Sequence, residues 1–464
     1  MVFAGWVSFA GVELVNTARA QAYAEAVGID VRNPAPDLAE SLGDAPYVDP
    51  VTDDAAWVDP SLPESGRFYG LAGLEIVGAD EGTSTRQWTE LLTDGGVPGA
   101  RRRRSNELEV RALMFAADDA AMSYGLGWLA SALRGSTCSL SCVGDDLCVY
   151  AAKPVAPRLP AITPDGDACG AVLGDPDPSW LPVDGSMFGP GGDKLARHLY
   201  NVATIEGPQV TARNRIESGL MWSVRWVFKA GTPSWYTEPV FVARTDGDAG
   251  PSNPETYQDV RPNYDPWSWQ EDCAQTQTCL DFDPWCASPP VPPLLAPAPA
   301  DPCFPNDPRN NPPGQPNRHK FTAARSIFPV PRGTGPDWLE KVPVIRIFSG
   351  SLEFQRVIIR WYNNPRGVAC GSWLDPCAAC AEINVVWLPR SSLLTIDGRT
   401  ERTTVDCPGG VVQEPRVYGL AGGPMTWPVF ECSSSMCVEV ISDAVTIAGD
   451  SWIDVHMASR TDVI

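Results

Sequence analysis

Between Asp246 and Arg318 the chain is rich in Pro, Asp and Asn, and this stretch limits what the rest can fold into. Two runs inside it, Ser288–Pro293 and Asn311–Pro316, place prolines too closely for a helix or a central strand. Polyproline-like spacing predicts a semi-rigid, extended connector, and Trp267, Trp269, Phe282, Trp285 and four cysteines suggest that it is pinned to a surface. On either side lies enough chain for an independent core. The expected organisation is therefore a domain over 1–245, a Pro/Cys-rich connector over 246–320 and a domain over 321–464.

Both flanks carry strand signals. From Leu220 to Lys229, the residues Leu220, Trp222, Val224, Trp226 and Phe228 share one face, which predicts a strand buried on one side. His198–Glu206 and Val210–Ile216 are two further candidates. Glu109–Phe115 reads as another strand, followed by a helix that Asp118 or Asp119 can cap, with Met122, Leu126, Leu129 and Leu133 as its apolar stripe and an end by Gly135. In the last zone, Val344–Phe348 and Leu352–Tyr362 read as a hairpin-like pair, and Ile383–Leu388 as a buried strand. Asp397-Gly398 between Leu393–Ile396 and Arg399–Val405 predicts a tight type I′ hairpin, and Ser451–Met457 alternates as a final strand. Many short strands separated by turns imply a mainly β fold: a β domain with one prominent helix, then a β-sandwich. No fixed-period repeat points to a propeller or solenoid.

Charge narrows the function. The formal net charge of −22 would repel a polyanion, so specific nucleic-acid binding is not expected; the charge suits a particle component or the wall of a channel through which DNA passes. The one basic run is Arg101, Arg102, Arg103 and Arg104, a candidate contact to an acidic neighbouring subunit. The opening Met1–Ser8 has no basic region and Glu13 interrupts its apolar run, so no secretion leader is expected. No apolar stretch approaches the ~20 residues of a membrane span.

Catalytic signals are poor. His198, His319 and His456 fall in no metal-ligand pattern, and neither a G-x-S-x-G elbow nor a P-loop is present. Asp165-Gly166-Asp167 and Asp246-Gly247-Asp248 look like calcium loops but lack the later ligands. Fourteen cysteines fall into local groups with even membership, which suggests local pairing; Cys432 and Cys437 could close one small loop. Cys370, Cys377, Cys380 and Cys407 offer a zinc alternative, although the second C-x-x-C of a zinc ribbon is absent. The expectation is a protein without catalytic residues, cofactor or metal.

Several stretches resemble the minor tail proteins of siphophages that infect actinobacteria, in particular their distal-tail-like members. They are Phe9–Ala20, Arg104–Trp128, Ile205–Pro208, Trp338-Leu339 ahead of Val342–Ile345, Trp387–Pro389 and Leu394–Gly398, and their shared order carries the resemblance. It implies an N-terminal tail-tube-like belt domain, a C-terminal β-sandwich facing outward, and a ring, usually hexameric, joining the tail tube to the tip complex around a channel for DNA. The implied partners are copies of the same chain, the major tail tube protein, the tip hub, other minor tail proteins and the tape measure protein. The implied location is the tail tip of the virion, after assembly in the host cytoplasm. An alternative is a tail-tip adhesin whose sandwich stacks host envelope glycans on Trp361, Trp373, Trp387, Trp427 and Trp452. The long connector departs from the family's minimal plan, which leaves open the ring protein itself or a neighbour attached beside it.

Overall fold

The computed structural model describes residues 2–29, 31, 38–42, 46–82, 84–90, 96–135, 144–154, 195–216, 218–246, 259–264, 321–330, 339–364, 369–370, 379–407, 410–413, 417–419, 423–430 and 435–464. The fold is mainly β and divides into two compact units, Met1–Glu238 with Arg460–Ile464, and Pro239–Ser459.

The first unit opens with strands β1 (Phe3–Phe9) and β2 (Val12–Asn16), joined through Ala10 and Gly11, both at positive φ. Asn16 caps helix α1 (Thr17–Ala26), its side-chain oxygen accepting from the Arg19 amide at 3.1 Å. There follow α2 (Leu38–Leu42), β3 (Phe68–Val77), β4 (Ser84–Glu90), β5 (Gly96–Arg103), β6 (Asn106–Ala116) and α3 (Asp119–Ala132). Then come β7 (Asp145–Tyr150), β8 (Ala196–Ile216), β9 (Gly219–Ala230) and the short β10 (Trp235–Tyr236). Antiparallel pairing gives the order β3-β6-β9-β8-β7-β1-β2, with β10 on β8 and the β4–β5 hairpin standing apart as its own two-stranded sheet.

The expected helix is α3. Asp118 is its cap, accepting from the Ala121 amide at 2.9 Å, and Met122, Leu129 and Leu133 are buried in the unit's core while Leu126 packs at its edge. Close approach is possible because Gly125 faces Phe68: a Cβ there would lie 2.3 Å from the ring. The two strands expected over 198–206 and 210–216 form one strand, β8, of 21 residues. Its register against β9 slips around Gly207-Pro208, where proline has no N–H for the ladder, so the strand bulges instead of ending.

The second unit contains β11 (Val240–Asp246), β12 (Asp259–Tyr264), β13 (Phe321–Val330), β14 (Glu340–Phe348), β15 (Phe354–Asn364) and β16 (Ala379–Leu388). It continues with β17 (Leu393–Asp397), β18 (Arg402–Cys407), β19 (Gly410–Gln413), β20 (Val417–Tyr418), β21 (Ser435–Asp443) and β22 (Trp452–Thr461). Strands β19-β18-β17-β14-β22, with β11 also on β22, form one layer, and β12-β13-β21-β15-β16-β20 form the other. Ile345, Ile347, Leu394, Ile453 and Val455 from the first layer share a core with Val357, Ile359, Trp361, Ile383 and Val440 from the second, a β-sandwich.

Four readings change here. Val344–Phe348 and Leu352–Tyr362 do not pair as a hairpin: β14 pairs with β17 while β15 pairs with β16 and β21, because both strands bury a face in the common core and the chain between them crosses from layer to layer at Gly350 (φ 69°). The β17–β18 turn is not a two-residue type I′ turn. Asp397 pairs with Arg402, and the Asp397 carboxylate accepts from the Arg399 amide at 2.9 Å, an Asx turn that spreads the reversal over four residues. Within the expected connector, Asp259–Tyr264 is a strand paired with β13. Both proline runs lie outside the described residues. β11, read as the end of the first domain, pairs in the second unit, and Arg460–Ile464 return to the first.

Candidate functional site

The arginine run closes the β4–β5 hairpin. Residue 101 pairs with Arg86, Arg102 with Thr85 and Arg103 with Ser84. Arg102 and Arg104 are exposed, while Arg103 is half-buried and paired with Asp462 at 2.7 Å. On the same hairpin Trp88, opposite Pro98, is 61% exposed and Val97 is 50% exposed. An isolated two-stranded ribbon has little stability of its own in water, so an exposed aromatic on one marks a surface built to be covered.

A second cluster escaped the sequence reading. The pairing of β7 with β8 sets Cys148 opposite His198, and that of β10 with β8 sets Tyr236 opposite His198, which brings Glu238 alongside. His198 Nδ1 lies 3.1 Å from Asp146 Oδ2, Nε2 lies 2.5 Å from Glu238 Oε1, and the Cys148 sulfur is 3.6 Å from Nε2. Burial alone would lower the His198 pKa, but hydrogen bonds to Asp146, Cys148 and Glu238 outweigh it and push the pKa up to about 12. Cys-His-Asp in this geometry has the outline of a nucleophilic triad. A protonated imidazole, however, has no lone pair with which to take the thiol proton, so His198 as held here is a cation binding two carboxylates. Strand alternation could have flagged Asp146, Cys148 and His198 separately. Their meeting depends on a register between segments 50 residues apart, which no local pattern reveals.

The cysteines pair differently from the local grouping. Cys370 is bonded to Cys437 across 67 residues, joining two groups, and Cys437 is fully buried beside Tyr362. Cys437 is thus unavailable for a surface loop with Cys432, and the Cys370 sulfur is not a thiolate open to zinc. Of the other zinc candidates, Cys380 is an exposed thiol, Cys377 lies outside the described residues, and nothing is described of the Cys407 side chain. Among the described residues no group of three or more His, Cys, Asp or Glu side chains could hold a metal ion. Asp246 ends β11, and Asp165–Asp167 lie outside the described residues.

The tryptophans of the second unit are largely committed to packing. Trp361 is fully buried, Trp427 packs on the sandwich core, Trp387 donates to Glu353 at 2.6 Å, and Trp452 lies under the guanidinium groups of Arg244 and Arg346. Trp373 lies outside the described residues.

No protein-family model matches the chain. No curated protein matches it either. Among solved structures, the chain is similar to the crystal structure of the SPP1 Dit (gp 19.1) protein, titled a paradigm of the hub adsorption apparatus in Gram-positive infecting phages, with a TM-score of 0.35 and 10% identity over 85% of this chain and 94% of that one.

Proposed function

We propose that this protein is a structural component of a phage tail tip: a distal-tail-like ring that joins tail tube to tip complex and leaves a channel for DNA. It acts through contacts with copies of itself, the tube, the hub and the tape measure protein, and not through catalysis. The observation that carries the reading is the succession of units. A β unit with one long capped helix, α3, is followed by a β-sandwich, the order implied by the tail-protein motifs from Phe9–Ala20 to Leu394–Gly398. The acidic balance supports a channel wall to which DNA does not adhere, and the exposed basic hairpin supports a subunit that binds its own kind. The adhesin alternative is the weaker reading, because the described candidates Trp361, Trp387, Trp427 and Trp452 are engaged in packing.

Negative-stain imaging of the purified full chain tests this. Rings with six-fold averages and a central hole are expected. Particles that stay monomeric at tens of micromolar would count against the ring.

A further inference from the structure

The first unit carries a second surface that matches the basic hairpin. Residues 46–64 hold five acidic side chains, Asp49, Asp53, Asp54, Asp59 and Glu64, and no basic one; residues 84–104 hold five arginines against Glu90 and Asp94. The acidic segment is apolar as well, with Val48 at 55%, Val51 at 59% and Leu62 at 42% exposure, to set against Trp88 and Val97. It is a rigid platform. Trp57 is buried and donates to the Phe68 carbonyl at 2.9 Å, Tyr124 donates to the Trp57 carbonyl at 2.7 Å, and Tyr23 donates to Asp53 at 2.7 Å. Asp49 accepts from the Val51 and Thr52 amides, and Asp59 from the Ser61 amide, each at 2.9 Å. These bonds fix the loop before any partner arrives, which reduces the entropy lost on docking.

The two surfaces flank a single strand. The acidic platform sits where β3 begins, at Phe68, and the basic hairpin leaves where it ends, beyond Val77. Ten extended residues span about 33 Å, too far for one copy to satisfy itself. Among the described residues, Arg86, Arg102 and Arg104 have no carboxylate partner, and neither Asp54 nor Glu64 has a cationic one.

The geometry points to a head-to-tail interface in which the β4–β5 hairpin of one copy, led by Trp88, docks on the 46–64 platform of the next. This rests on the ring reading and gives it two unlike, complementary faces, as cyclic closure requires.

The test uses sedimentation velocity of the full chain in low salt. One variant removes the hairpin face (Arg86→Ser, Trp88→Ser, Arg102→Ser) and the other the platform face (Val51→Lys, Glu64→Lys); four of the five positions are exposed and Glu64 is half-buried, and wild-type melting temperatures verify folding. Each variant alone is expected to stay monomeric, with association weakened at least about 30-fold, the range of an interface anchor. Their equimolar mixture, which retains one good face of each kind, is expected to stop at a one-to-one dimer. If either variant alone assembles like the wild type, or if two folded variants do not pair when mixed, the interface is wrong while the ring stands. A wild type that never associates overturns the ring and this interface together.

Discussion

Arg360 Nε lies 2.6 Å from Glu382 Oε2, and each side chain is only 1% exposed. The pair belongs to a line of buried charge across the sheet β13-β21-β15-β16. Glu439 sits 3.7 Å from Arg360 on its other side, accepts the Tyr362 hydroxyl at 2.6 Å and is paired with Arg325, while Asn384 donates to Glu382 at 2.7 Å. Charges this deep are tolerable only when every partner is present. Arg360→Ala, which leaves buried Glu382 without its cation, should therefore cost about 3–5 kcal/mol. Exchanging Arg360 and Glu382 together for Met and Leu, which leaves Glu439 with Arg325 and Tyr362, should cost much less. Chemical denaturation of the three proteins checks this, and equal losses would show that the line is not coupled.

His198 should remain an imidazolium well above neutrality. Its folded pKa, pushed up to about 12, exceeds the ordinary value of 6.5. Its contribution to stability is thus complete below pH 6.5 and is lost as pH rises toward 12, because the unfolded chain releases the proton first. Between those limits the stability of the wild type relative to His198→Gln should fall by about 1.4 kcal/mol per pH unit. Urea midpoints at pH 7 and 9 measure the slope. Imidazole nitrogen shifts typical of the neutral ring at pH 9 would contradict it.

What was legible in the sequence was local. The alternation at Leu220–Lys229 and the Asp118 cap ahead of Met122 and Leu129 gave β9 and α3, because one hydrogen-bond ladder or one helical turn involves only near neighbours. The pairing of β14 with β17 and not β15, the meeting of His198 with Asp146 and Glu238, and the Cys370–Cys437 bond all depend on which distant strands share a core or a sheet. Short-range patterns do not encode that. The arginine run was visible as charge, but its partner surface at 46–64 emerged only once β3 separated the two.

The Cys370–Cys437 bond should stabilise the second unit. Closing a loop of 67 residues removes chain entropy worth on the order of 4 kcal/mol at most. Cys370→Ser with Cys437→Ser should lower the melting temperature, and dithiothreitol should lower that of the wild type but not of the double variant. A reductant effect of equal size on both would place the sensitivity elsewhere.

Two glycines should respond oppositely to alanine. A Cβ on Gly73 of β3 would lie 1.7 Å from the Ala4 carbonyl oxygen of β1, so Gly73→Ala must push two strands apart and should cost about 3 kcal/mol or more. Gly127 is on the exposed side of α3 with nothing within 4 Å. There Gly127→Ala should stabilise by up to about 1 kcal/mol by improving helix propensity. Thermal melts of both variants compare the signs directly.

The return of Arg460–Ile464 to the first unit has a consequence for biosynthesis. Thr461 pairs with Trp235, Asp462 binds Arg103 at the root of the basic hairpin, and the Ile464 amide donates to Ala79. The second unit is therefore an insertion, and a nascent chain cannot finish the first unit until residue 464 has left the ribosome. A chain stopped before Arg460 would carry a hairpin that Asp462 does not anchor.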